Sequence, residues 1–219
     1  MRVSGRIPRN NGPQNCSNAI VGQSWFSKLV TRVERMLSDF FTRDPVDCAR
    51  DLVGCEFVWK GCSGKIVETE AYRTVGDEAC HTFFRPAVRD FVARCAPGDA
   101  YVYLNYGVHW LFNIVVKGKG GDGFVLLRAL EPVAGLEEMR QRRGGISDKL
   151  LTAGPGRLTQ ALGIGRGDHG LSFLETEGCA IVPGKPSELV SGSRIGISKA
   201  KDLPWRFGDR DSGYLSRKF

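Results

Sequence analysis

Lys65-Ile-Val-Glu-Thr-Glu-Ala-Tyr72, together with Tyr101-Val-Tyr-Leu-Asn-Tyr106 further along, is the stretch that decides how this chain folds. In both segments β-branched and aromatic residues alternate with others between turn residues, the pattern of a β-strand. Residues two apart on a strand share a face. Glu68, Glu70 and Tyr72 are therefore expected to project together, and so are Tyr101 and Tyr103. If the two strands face one cleft, a carboxylate stands beside a cage of aromatic rings. That arrangement suits binding a flat, electron-poor ring and hydrolysing a bond at its edge.

Working outward, a helix is predicted with Asp44 as N-cap, Pro45 at its first position and Gly54 just past its end. Strands near 55–59 and 64–72 follow, joined by Gly61-Cys-Ser-Gly64. Further strands are expected near 100–106, 109–117 and 123–130. The last two are linked by Gly118-Lys-Gly-Gly-Asp-Gly123, which has hairpin-turn chemistry and lacks the spacing of a phosphate-binding loop. Helices near 132–142 and 155–162 open with Pro132 and Pro155, and the remainder reads as short strands between proline and glycine turns. Upstream, Phe26, Leu29, Val30, Val33, Met36, Leu37 and Phe40 fall at helical spacing. Strands largely adjacent in sequence, with helices grouped around them, indicate an α+β fold. The expectation is a single domain with a curved, mostly antiparallel sheet and surrounding helices. It spans residues 25–219, behind a disordered basic arm over residues 1–24. No acid precedes Glu34, so that arm fits an organellar transit peptide, a nucleic-acid-binding arm or an overlong start.

Composition narrows the class. At 219 residues the chain can bury roughly 70% of its unfolded surface as one domain. Hydrophobic residues at 42% and charged residues at 25% are ordinary for a globular protein. A net charge of +7 points to a polyanionic partner, nucleic acid before an acidic membrane surface. No apolar run approaches the roughly 18 residues of a membrane helix. Seven cysteines, odd in number and without a C-x-x-C, argue against a disulfide framework, a tetrahedral zinc site and an iron–sulfur cluster. No metal and no cofactor is expected.

The motifs, taken in order, resemble the alkyladenine (3-methyladenine) DNA glycosylase family. They are Val67-Glu-Thr-Glu-Ala-Tyr72, Asp77-Glu-Ala-Cys-His81, Pro97-Gly98 through Tyr101-Val-Tyr-Leu-Asn-Tyr-Gly107, and Asn113. Gly121-Asp-Gly-Phe-Val-Leu-Leu-Arg-Ala-Leu-Glu-Pro132, Gly154-Pro-Gly-Arg-Leu-Thr-Gln-Ala-Leu162, Arg194-Ile-Gly-Ile197 and Pro204-Trp-Arg-Phe207 complete the set, which covers roughly residues 38–216. The resemblance implies a base-excision-repair enzyme that flips an alkylated purine out of duplex DNA and hydrolyses its N-glycosidic bond. Deaminated or etheno purines are further candidates, and the product is an abasic site. It implies a monofunctional enzyme, working as a monomer on double-stranded DNA and not at a membrane. The implied location is cytoplasmic and nucleoid-associated, or nuclear.

Hydrolysing that bond places positive charge on the sugar, which a neighbouring carboxylate stabilises while taking a proton from the attacking water. By resemblance Glu70 is that carboxylate, with Arg128 helping to hold the water and the backbone. Tyr72, His81 and Tyr103 would line the pocket for the flipped base, where aromatic faces attract a cationic purine. Asn113 would crowd the exocyclic amine of undamaged guanine, and the backbone carbonyl of Ile195 would hold the water. On the DNA side Tyr106, at the strand end before Gly107, would wedge into the duplex, and Tyr101 would support the cleft.

Glu68 lies roughly 6.6 Å from Glu70 by strand rise, which invites the acid/base pair of an inverting glycosidase. Both sit on one wall, so Glu68 reads as structural. Lys65 matches no nucleophile of the family. Gly154-Pro-Gly opens a helix whose N-terminus suits a phosphate or is simply a capped turn. The departure from the family pattern is the loop expected over residues 82–96 on the DNA side, where Arg89-Asp90 and Ala93-Arg94 replace Arg-Asn and Met-Phe pairs. Asp90 there would repel a phosphate. A non-catalytic protein that binds damaged bases is the alternative, with a carbohydrate hydrolase third.

Overall fold

The computed structural model describes residues 39–219. The arm expected over residues 1–24 lies outside them, as does the helix expected over 25–40 except for its last two residues. Helix α1, Pro45–Leu52, forms where its caps predict: the Asp44 carboxylate accepts the Val46 N–H at 2.8 Å, and Pro45 fills a first-turn position. Gly54 after it is at φ +94°, and a Cβ there would come within 2.1 Å of the Lys185 carbonyl carbon.

Eight strands follow: β1 (Glu56–Trp59), β2 (Cys62–Arg73), β3 (Ala100–Asn105), β4 (His109–Gly118), β5 (Gly121–Ala134), β6 (Cys179–Val182), β7 (Leu189–Gly192) and β8 (Arg206–Asp209). They make one sheet in the order β3-β4-β5-β2-β1-β6, every pairing antiparallel. The far edge of β2 is divided. Its beginning pairs with β1, and Glu68–Glu70 pair with β8, which carries β7. Helices α2 (His81–Phe84), α3 (Pro86–Arg94), α4 (Leu136–Arg143) and α5 (Pro155–Leu162) complete an α+β fold.

Alternation along the strands sorts the side chains onto two faces. Ala100 and Val102, Phe112, Ile114 and Val116, and Val125 and Leu127 enter the main core with α1 and α5. Phe57, Phe112 and Phe173 pack there ring against ring. The intervening residues Tyr101, Tyr103, Val115 and Phe124 turn to the opposite face, where Val88 and Val92 of α3 cover them.

Three local expectations are corrected. The β1–β2 turn is Lys60-Gly61, both at positive φ, so Cys62 to Gly64 already belong to β2. Residue 132 does not open a helix: β5 runs on through Pro132, which pairs with Gly64, and α4 starts at Leu136 after left-handed Gly135. Residues 82–96 are not an open loop, because α2 and α3 fill most of the stretch. Single-turn and two-turn helices have too few residues to display a period, and tertiary packing decides them. The Gly118–Gly123 linker is a hairpin as expected, turning at Lys119-Gly120. Among the described residues no helix is long and apolar enough to cross a membrane.

Candidate active site

The site depends on an irregularity in the β2–β5 ladder. Ile66 pairs with Leu130 and Thr69 with Leu127, but between them Glu68 pairs with Ala129, leaving Val67 and Arg128 without opposite numbers. Such a bulge re-aims the side chains beyond it. Ile66 and Ala71 both point into the main core, although they stand at positions of opposite parity. In an uninterrupted strand Glu68, Glu70 and Tyr72 would share the core face with Ile66. The bulge turns them to the other face, and Arg128 meets them there.

Glu70 is fully buried and held at three points. The Ile195 N–H donates to Oε1 at 2.7 Å, the Tyr72 hydroxyl donates to Oε2 at 2.8 Å, and Arg128 Nη1 lies 3.2 Å from Oε1. Burial pushes its pKa up; Arg128, the Ile195 N–H and the Tyr72 hydroxyl pull against that, and the balance remains above the ordinary glutamate value. Burial also opposes the charge on Arg128, but Glu70 and Glu68 more than offset it, so the guanidinium stays protonated with a raised pKa. The Tyr72 phenol is raised well above its usual value by burial and by Glu70, which keeps it a neutral donor.

Glu68 is equally buried but fully engaged. It accepts from Arg128 Nε at 2.9 Å, from the Ser216 N–H at 2.6 Å and from the Ser216 hydroxyl at 2.8 Å, with Arg206 Nη1 at 3.5 Å. Both carboxylates grip one guanidinium from the same wall and do not flank a space between them. Lys65 forms an ion pair with Asp209 at 2.9 Å.

A cavity of about 810 Å³ opens beside this cluster, lined among others by Tyr72, His81, Tyr103, Asn113, Arg128 and Ile195. His81 is the first residue of α2, and its ring lies 4.4 Å from Tyr103, centroid to centroid. Its Nδ1 is 2.8 Å from the Tyr101 hydroxyl. Burial, then Arg85, lowers the His81 pKa to about 4, so the ring is neutral near pH 7. Tyr103 is pushed up to about 12, by burial first and Glu70 second. Tyr101 is only 4% exposed and stacks on Tyr103 and Phe124. That burial makes it the floor of the cavity beneath the other rings. Asn113 Nδ2 donates to the Tyr101 carbonyl at 3.1 Å, which fixes the amide against the cavity wall. Ile195 meets Glu70 through its N–H.

Tyr106 stands apart from these rings. It is 88% exposed at the tip of the β3–β4 hairpin and adopts φ +49°. A left-handed non-glycine residue costs about 1–2 kcal/mol, and such strain tends to persist where a side chain is needed in place. Next to the cavity runs a groove of about 480 Å³ that shares Arg128, Pro155 and Ile195 with it and adds His109, Arg143, Arg157 and Arg217. Burial and then the charge on Arg157 lower the Arg143 pKa, as expected for two cations crowded together. The start of α5 at Gly154-Pro-Gly borders this groove.

Three contributors, Arg194, Asp77 and Ser216, went unassigned in the sequence. Arg194 clasps Asp77 with contacts of 2.7 and 2.8 Å, both side chains fully buried, and its guanidinium packs 4.6 Å from the Tyr72 ring. The pair anchors Ile195, the turn leading to His81 and one face of Tyr72; both residues lie within matching motifs, the one signal available. Ser216 carries no such signal.

With this geometry in view, comparison with known proteins is specific. The Methylpurine-DNA glycosylase family profile matches residues 39–213. A protein of Nitrosospira multiformis provisionally named 3-methyladenine DNA glycosylase is 46% identical over 179 residues, 82% of this chain and 92% of the relative. Proteins bearing the same provisional name are 46% identical over 180 residues in Rhodopseudomonas palustris strain CGA009, covering 82% of this chain and 87% of the relative, and 44% identical over 193 residues in Chlorobaculum tepidum, covering 84% and 92%. With a profile that spans the whole sheet and every residue lining the cavity, the chain belongs to the methylpurine-DNA glycosylase family.

Proposed function

We propose that this protein is a monofunctional DNA glycosylase that releases alkylated purines from double-stranded DNA in base excision repair. The observation that carries the reading is Glu70, a buried carboxylate whose three donors, Tyr72, Arg128 and Ile195, themselves line an aromatic cavity. Duplex DNA conceals its bases, so the target nucleotide must leave the stack to reach this depth. Tyr72, His81 and Tyr103 receive the flipped purine. Alkylation at N3 or N7 makes that ring cationic, and desolvated aromatic faces favour it by roughly 0.5–2 kcal/mol. Neutral His81 adds no opposing charge.

In the chemical step the C1′–N9 bond breaks with its electron pair going to the purine, which neutralises the alkylated ring as it leaves. The sugar becomes oxocarbenium-like, and water attacks C1′ while its proton passes to Glu70. Glu70 thus needs to be ionised and only weakly solvated, the condition its burial and its three donors create. Arg128 keeps the carboxylate oriented, and Glu68 with Ser216 keeps Arg128 oriented. Tyr106 fills the gap left in the duplex, and the groove with Arg143, Arg157 and Arg217 follows the phosphate backbone. The enzyme acts as a monomer, and Asn113 discriminates against undamaged guanine.

Single-turnover incubation with duplexes carrying one methylated purine, hypoxanthine or ethenoadenine, scored for abasic sites, tests this reading. Abasic sites are expected at the methylated purine. Tight binding of every lesion with no abasic product would leave a damaged-base-binding protein instead.

A further inference from the structure

The helix α2 that carries His81 also carries two phenylalanines that the reading above leaves unused. Phe83 and Phe84 are 55% and 54% exposed, yet both line the base cavity, together with Leu104, itself 44% exposed. Apolar rings grouped at the mouth of a cavity and left half in water mark a binding surface more often than chance. Their support is built. Thr82 between His81 and Phe83 is buried, its hydroxyl 3.1 Å from Cys80 Sγ. Arg89 reaches back from α3 to donate to the carbonyls of Thr82 at 2.8 Å and Phe83 at 3.3 Å, and the Arg85 N–H closes the turn on the His81 carbonyl at 2.8 Å. The Arg85 guanidinium lies 5.5 Å from the Phe84 ring.

The Phe84 ring is continuous with the base-binding stack. Tyr101 and Tyr103 are 5.3 Å apart, Tyr103 and His81 4.4 Å, and His81 and Phe84 5.5 Å, a row running from the buried floor to the surface. A group projecting from a bound purine past His81 therefore meets carbon, not water. The cavity, about 810 Å³, falls in the range that holds drug-sized ligands, larger than one purine ring system needs.

We propose that Phe83 and Phe84 form an aromatic ledge that receives a bulky apolar substituent on the purine, so that arylalkyl purines are substrates beside methylated ones. The proposal rests on the reading of this cavity as the site of the flipped base. Burial of the substituent against two rings offsets the greater size of the lesion, and removal of the ledge takes that gain away.

The test is single-turnover excision from two duplexes that differ only in N7-methylguanine or N7-benzylguanine, each rate divided by the spontaneous loss of that base. Wild type is expected to release the benzyl lesion within about fivefold of the methyl lesion. The double variant Phe83→Ala, Phe84→Ala is expected to lower the benzyl-to-methyl ratio at least tenfold. Phe84→Leu, apolar but not aromatic, should fall between. Release of methylguanine by wild type at more than a hundred times the benzyl rate would overturn the ledge and leave the glycosylase reading intact. An unchanged ratio in the double variant would also overturn it. Release of neither base would remove the glycosylase reading, and the ledge with it.

Discussion

Replacing Glu70 with glutamine removes the charge and the proton acceptor while preserving shape, and the surroundings of this residue allow the consequences to be worked out. The amide oxygen can still accept the Ile195 N–H, now at 2.7 Å from Oε1, and the Tyr72 hydroxyl can rotate from donor to acceptor. Arg128 then faces a neutral oxygen in place of a charged one at 3.2 Å, but it keeps Glu68 at 2.9 Å and the Ser216 hydroxyl at 3.2 Å, so no buried cation is stranded. Loss of that attraction is set against relief of a carboxylate whose charge burial disfavours, as its raised pKa shows, so the two largely offset. Thermal stability should therefore hardly change. Catalysis should collapse: general-base assistance contributes roughly 10²–10⁴-fold, and charge stabilisation of the oxocarbenium is lost with it. A decrease of at least about 10³-fold, roughly 4 kcal/mol, is expected. The assay is single-turnover excision of a methylated purine from duplex DNA, with binding of the same duplex measured in parallel. A folded, DNA-binding Glu70→Gln protein that excises within about tenfold of wild type would refute the reasoning. Glu68→Gln is the contrast, because it removes the charge on which Arg128 Nε and both Ser216 donors converge. It also leaves the buried Arg206 guanidinium without its 3.5 Å carboxylate partner, and a stranded buried charge typically costs about 3–5 kcal/mol, so its defect should lie in stability.

Because burial raises the Glu70 pKa above 4.5, the active, unprotonated form is lost as pH falls through the raised value. The acid limb of the excision rate should accordingly lie above pH 4.5, and a limb at or below that value would remove burial as the tuning influence. Tyr106→Gly should relieve the strain of φ +49° and leave stability unchanged or higher, yet slow excision of a paired lesion more than of a lesion opposite a gap; ethenoadenine fluorescence would report the flipped fraction. Asp77→Ala strands the fully buried Arg194 guanidinium and should lower unfolding free energy by about 3–5 kcal/mol in denaturant titration. Affinity for undamaged duplex should fall linearly in log salt, and charge removal at Arg157 should flatten the slope by about one.

Much of the scaffold was legible because its causes are local. Asp44 and Pro45 announce α1, the glycines of 118–123 announce a hairpin, and alternation assigns Tyr101 and Tyr103 to one face of β3. The pairing of Glu70 with Tyr72 follows from the same two-residue period. Arg89 shows where local reading stops. Within a stretch taken for a DNA-facing loop, its guanidinium is spent on the carbonyls of Thr82 and Phe83.

Tertiary structure alone decided which way the catalytic strand faces. Nothing in Ile66-Val-Glu-Thr-Glu reveals a bulge at Val67, since bulging depends on the partner strand, where Arg128 is likewise unpaired. That pair of irregularities sets Glu68, Glu70 and Tyr72 against Arg128 and away from the core. The contacts that hold them come from far along the chain: Ile195 to Glu70, Ser216 and Arg206 to Glu68, Arg194 to Asp77. Period and capping depend on neighbours within a few residues. The electrostatics of a buried carboxylate depend on which distant donors folding brings close to it, and only the assembled sheet determines that.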